Sequence, residues 1–154
     1  MAFSFAYRLI GPADPQYRTF TVGVGKQVKY GDLVKLSSGA IEAAATGDTV
    51  VGVVVNAAPY TYPGANPQTL TQAKVIIPLD CVFEVDYIGT SKETLTDSDI
   101  GESFDLATGE AGVIDLDSKS NGDVRIIDFD NTRKKAFVTI NNQLLTFYTI
   151  PDGE

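Results

Sequence analysis

Turns built on Gly-Asp pairs, each flanked by β-branched runs, constrain this chain more than any other feature of its sequence. Tyr30-Gly31-Asp32-Leu33-Val34-Lys35-Leu36 is followed by Gly39-Ala40-Ile41-Glu42-Ala43-Ala44, and then by Gly47-Asp48-Thr49-Val50-Val51-Gly52-Val53-Val54-Val55. Glycine reaches the left-handed conformations that tight turns need, and aspartate hydrogen-bonds its own backbone there. Valine and isoleucine suit the pleated surface between the turns. The segment therefore predicts short strands folded directly on one another. Gly122-Asp123-Val124 repeats the pattern without a fixed period, which argues for local turn chemistry and against a solenoid.

The rest of the chain reads the same way. Phe3, Phe5, Tyr7 and Leu9 fall on alternate positions, the period of a strand with one apolar face. Pro12 and Pro15 then interrupt, because proline has no N–H to give to a ladder. Residues 1–19 are therefore expected to form an extended N-terminal arm. Phe20, Val22 and Val24 resume the alternation, and 73–77, 81–88, 104–107, 112–116, 124–129, 136–140 and 144–150 read as further strands. Thr96-Asp97-Ser98-Asp99-Ile100-Gly101 carries a helix cap, two acids and a glycine stop, enough for a single helical turn. About ten short strands, with turns at intervals of roughly eight to twelve residues, predict an all-β barrel or sandwich. A shift near Leu79, from Val/Ala-rich to Asp-rich sequence, divides the body into two candidate β subdomains, 20–79 and 80–154, which also fit one continuous domain.

Composition removes whole classes of function. A chain of 154 residues buries about 68–70% of the surface its unfolded form exposes and needs no covalent staple. Cys81 is its one cysteine and lies in an apolar run, where a small buried thiol is expected. No histidine exists to activate a thiol or a serine, or to join a zinc site. A net charge of −8 and a pI near 4.4 oppose binding to nucleic acid. Arg133-Lys134-Lys135 is the one basic cluster and reads as a solvated turn among acids. No run reaches the roughly eighteen apolar residues of a spanning helix, so no membrane partner is expected. The first residues lack the basic start of a signal peptide, so synthesis in a host cytoplasm is expected.

Candidate chemistry is sparse. Asp115 with Asp117, Asp128 with Asp130, and Asp97 with Asp99 place carboxylates in pairs. Oxygen ligands suit calcium, but no EF-hand loop is present, and charges at strand edges guard against stray pairing. No metal or other cofactor is expected. A carboxylate pair for glycoside hydrolysis would lack a tryptophan platform. Gly23-Val24-Gly25-Lys26 is a fragment of a phosphate loop without its full spacing, and reads as a turn. Interaction surfaces are the stronger signal. The Phe3, Phe5, Tyr7, Leu9 strand either folds back on its own sheet or adds a strand to a partner. Tyr60 and Tyr62, on a loop held by Pro59, Pro63 and Pro67, form a second contact patch.

Val28-Lys29-Tyr30-Gly31-Asp32-Leu33-Val34, then Ile41-Glu42-Ala43-Ala44, then Gly47-Asp48-Thr49-Val50-Val51-Gly52-Val53 resembles the capsid decoration, or head-stabilising cement, proteins of tailed bacteriophages. In that family a G-D-hydrophobic-V motif, an alanine-containing strand and a G-V strand recur in this order. Asp99-Ile100-Gly101-Glu102-Ser103-Phe104-Asp105-Leu106 is similar to a turn of phage head proteins. The resemblance implies a non-enzymatic β protein of the virion exterior. Such a protein binds the icosahedral head, commonly as a homotrimer, and clamps neighbouring major capsid proteins. No catalytic residue comes with it. The alternative is a carbohydrate- or receptor-binding β module on a virion or cell surface, with the acidic pairs holding calcium beside a glycan.

Overall fold

A computed structural model describes residues 2–9, 14–56, 60–61 and 72–144. The strands, in chain order, are β1 (Ser4–Arg8), β2 (Gln16–Thr21), β3 (Gln27–Val28), β4 (Leu33–Ser37), β5 (Ala40–Ala43), β6 (Gly52–Asn56) and β7 (Tyr60–Thr61), then β8 (Gln72–Ile77), β9 (Cys81–Ile88), β10 (Ser103–Leu106), β11 (Val113–Asp115), β12 (Val124–Asp130) and β13 (Lys135–Ile140). One turn of 3-10 helix, Asp97–Asp99, stands where the cap and glycine stop place it, and Asp99 accepts the Thr96 N–H at 2.8 Å. The fold is all-β, as the sequence predicts. The strand expected over 144–150 lies outside the described residues beyond Leu144.

Two sheets close on themselves. The first runs β2-β8-β6-β4-β5. Beyond the end of β2, Val22 bridges Ile41 of β5, and the Gly23 N–H donates to the Ile41 carbonyl at 2.9 Å, so the two outer strands meet. The second links β9, β11, β10, β12 and β13 in turn, and β13 pairs back onto β9. A two-stranded piece pairs β3 with β7.

The continuous apolar run from Val50 to Val55 has a simple cause. Leu33, Val53 and Ile76 are aligned neighbours on β4, β6 and β8, and they face the second sheet in one core with Phe83, Val85, Phe104 and Val138. The next residues along each strand, Val34, Val54 and Val75, turn into the first barrel beside Val22, Val28 and Ile41. Both faces of these strands are covered, so period-two alternation gives way to an unbroken apolar sequence. Main-chain bonds stitch the halves together: Leu33 N–H to Ala111 O at 2.9 Å and Val50 N–H to Asn142 O at 2.6 Å.

Of residues 1–19, expected as one extended arm, residues 2–9 and 14–19 are described. They divide between the two sheets: β1 pairs antiparallel with β9, while β2 pairs with β8. β1 shares one edge of β9 with β11, opposite Cys81–Glu84, and β11 lies opposite Asp86–Ile88. Phe3 is 1% exposed and packs edge-on against Phe83, with ring centroids 6.4 Å apart. Its N–H donates to Gly31 O at 2.9 Å. Gly31 sits at φ +84°, and a side chain there would collide with Ala2, so the Gly-Asp turn is also the seat of the N-terminal strand.

Candidate functional site

The candidate site is the junction of β1 and β2. Strict alternation predicts one face carrying Phe3, Phe5, Tyr7 and Leu9. A β-bulge between Phe5 and Tyr7 changes this. Phe5 lies opposite Phe83, after which Ala6 is the extra residue, Tyr7 lies opposite Val82 and Arg8 opposite Cys81. An extra residue reverses the facing of everything beyond it. Phe3 and Phe5 therefore belong to the core side, and the Arg8 side chain turns in behind them. Tyr7 and Leu9 turn out and are 44% and 54% exposed.

Tyr17 joins them. The Leu9 N–H donates to Asp80 O at 2.7 Å, and Gln16 pairs with Ile77, so β1 and β2 abut opposite ends of the same short turn, 77–81. Arg8 Nη1 also donates to the Asp14 carbonyl at 3.3 Å, just ahead of β2. Tyr17 is 45% exposed, with the Lys74 ammonium 4.5 Å from its ring centroid. That contact holds the ring in place while leaving it open to solvent. Nothing in the sequence singles out Tyr17, because it falls in a polar stretch after two prolines. Tyr7, Leu9 and Tyr17 are thus exposed at the two ends of the 77–81 turn, while the Arg8 side chain is only 9% exposed. β1 is the terminal strand of its sheet.

The second expected patch is described only in part. Tyr60 and Thr61 form β7 against β3. The side chain of Tyr60, with Tyr62, Pro63 and Pro67, lies outside the described residues.

The carboxylate pairs are tied into turns. Asp117 accepts N–H groups from Thr90 at 2.6 Å and Lys92 at 2.8 Å, and Ser91 donates to it as well. Asp130 holds Thr132 N–H and Arg133 Nε. Asp99 accepts from Thr96 and meets Lys92 Nζ at 2.9 Å. Two carboxylates that sequence reading passes over are the most buried. Asp105 accepts from Ser118, Ser120, Asn121 and Gly122. Asp123 accepts from Thr46 Oγ1, Gly47 N–H and Leu106 N–H at 2.7–2.9 Å, joining the first barrel to the second. Burial opposes the charge of Asp105, but its four donors outweigh burial and hold the carboxyl below the ordinary aspartate value. Asp32 of the Gly-Asp turn lies above that value, because burial outweighs the N–H of Lys29. Among the described residues no group of three or more metal-ligating side chains converges, and no pocket opens.

Lys26, Arg133 and Lys135 are also paired. Lys26, in the Gly23–Lys26 turn, meets Glu42 at 3.2 Å. In the basic cluster, Arg133 binds Asp130 and Glu84, and the adjoining Lys135 binds Asp86 at 2.7 Å. Cys81 is buried, and burial pushes its thiol up to about 11.

No protein-family model matches the sequence, and no curated protein does. Among solved structures, the crystal structure of the bacteriophage phi29 gene product 12 C-terminal fragment aligns with a TM-score of 0.42 at 15% identity, over 80% of this chain and 98% of that one.

Proposed function

We propose that this chain is a non-enzymatic decoration protein of a tailed-phage head. It binds the outer surface of the assembled shell, clamps neighbouring major capsid proteins and acts as a homotrimer. The observation that carries the reading is the β1–β2 junction: Tyr7 and Leu9 are exposed on and just beyond the terminal strand β1, and Tyr17 is exposed on β2 at the other end of the 77–81 turn. Tyrosine is enriched in binding hot spots. A free strand edge adds main-chain hydrogen bonds to whatever docks there. The order of the Gly-Asp, alanine and Gly-Val segments supports the same reading, and in this fold those segments build the barrel wall and seat the N-terminal strand. A histidine base is absent from the composition, and Asp48, Asp99, Asp105, Asp117, Asp123 and Asp130 accept main-chain N–H groups of turns and loops.

The test is a mixing experiment. Purified protein is expected to co-sediment with expanded phage heads that lack it, and to ignore free major capsid protein. A protein that leaves expanded heads bare overturns the reading. Deleting residues 1–10 is a poor probe, because it removes Phe3 from the core and unfolds what it is meant to test.

A further inference from the structure

The join between the two barrels holds the one Asn-Gly step of the sequence, Asn121-Gly122. Asparagine is among the thermolabile residues, and a following glycine has no Cβ to hinder the reaction. Once a base in solvent has taken its proton, the Gly122 nitrogen can attack Cγ of Asn121. A C–N bond forms, the Cγ–Nδ2 bond breaks, and ammonia leaves with a proton from water. Water then opens the resulting succinimide to aspartate or isoaspartate. Asn121 is exposed, so solvent base and water both reach it.

The fold holds each reacting group in place. The Gly122 N–H donates to Asp105 Oδ1 at 2.6 Å, and the Asn121 N–H to the same oxygen at 2.9 Å. Asn121 Nδ2 donates to Thr46 Oγ1 of the first barrel at 3.0 Å, and Asn141 Nδ2 holds the Gly122 carbonyl at 2.8 Å. Asp105 is itself fixed by the hydroxyls of Ser118 and Ser120. A bond to a carboxylate stabilises the Gly122 N–H, and the same carboxylate repels the negative charge that its removal leaves on nitrogen. Attack also requires the Asn121 amide to leave Thr46. We propose that Asn121-Gly122 is a latent deamidation site, which the native fold keeps closed through Asp105 and which reacts when the barrels part there. The product cannot close again as before. Isoaspartate adds a methylene to the main chain between the two N–H groups that share Asp105 Oδ1. Aspartate turns an acceptor towards Thr46 Oγ1, whose hydrogen already goes to Asp123. Either product therefore loosens the join.

The test compares the intact native protein, the guanidinium-unfolded chain and a capped Ser-Asn-Gly-Asp tetrapeptide, all held at pH 8 and 37 °C. Peptide mapping by mass spectrometry follows the replacement of NH2 by OH at residue 121. NMR follows hydrogen exchange of the Gly122 amide in the native protein. Both reactions pass through the opened form, so the fold is expected to slow both at least tenfold, by factors that agree within threefold. Deamidation slowed less than tenfold relative to the tetrapeptide overturns the proposal. Slow deamidation beside a freely exchanging Gly122 amide overturns the part given to Asp105. An unfolded chain that reacts at other asparagines and spares residue 121 overturns the site itself. A folded Asn121→Asp variant is expected to melt about 2–4 °C below the wild type. An unchanged melting temperature overturns the loosening of the join.

Discussion

Individual residues explain how an acidic chain folds around its acids. Asp105 and Asp123 are 1% and 2% exposed, yet each is surrounded by donors. A buried carboxylate is tolerable when donors replace its lost water. The sequence marks these aspartates only as turn residues. Their depth depends on which loops meet, and Thr46 and Asp123 are far apart in the chain. Replacing Asp123 by alanine strands the donors of Thr46, Gly47 and Leu106, and is expected to cost about 2–3 kcal/mol in urea denaturation. Asp48, Asp99 and Asp105 are held below the ordinary aspartate value, so they bind protons less readily folded than unfolded. Their contribution is complete above the unfolded value of about 3.9 and is lost as pH falls through their lower folded values. Asp32 works in the opposite sense, since protonation relieves its burial. With Asp117 and Asp130 also held low, five groups oppose one, so the melting temperature is expected to hold from pH 7 to about 5 and to fall below about 4. Cys81, with its pKa pushed up to about 11, is expected to resist alkylation at pH 8 in the native protein and to react promptly in denaturant.

At the scale of elements, the turns and strands were written plainly in the chain, and the pairing was not. Gly31-Asp32 and Gly47-Asp48 fall at turns, Gly122-Asp123 follows a bend, and Cys81–Ile88 forms the strand its alternation predicts. Two features escaped a reading by period. β1 carries a bulge at Ala6, and a bulge is set by what the neighbouring strand requires, here the alignment of Phe83 and Cys81 with Phe5 and Arg8. β1 and β2 also lie in different sheets, whereas Pro12 and Pro15 in the sequence mark a break without saying where the strands on either side dock. The bulge separates structural from interaction residues within one strand. Phe3→Ala is expected to destabilise the protein by about 3–5 kcal/mol in urea denaturation. Tyr7→Ala and Leu9→Ala, at exposed positions, are expected to change stability by no more than about 0.5 kcal/mol. A large loss of stability from Tyr7→Ala would place that ring in the core and remove it from any interface.

The whole molecule is polarised. Residues 16–77, which hold the first barrel, contain five lysines and arginines against three acids, whereas residues 78–144 contain six against fourteen. The first barrel is therefore mildly cationic and the second strongly anionic. Binding that uses exposed charges weakens with salt, so affinity for heads is expected to fall between 50 and 500 mM NaCl, an interval over which the Debye length drops from about 14 Å to about 4 Å. The most direct test of the central claim, that the β1–β2 junction is the docking face, is a sedimentation titration of expanded heads with wild-type protein and with the Tyr7→Ala, Leu9→Ala, Tyr17→Ala triple variant. Saturable binding by the wild type is expected, with at least a tenfold weaker dissociation constant for the equally stable triple variant. Equal affinity of the two proteins for the heads would contradict the claim.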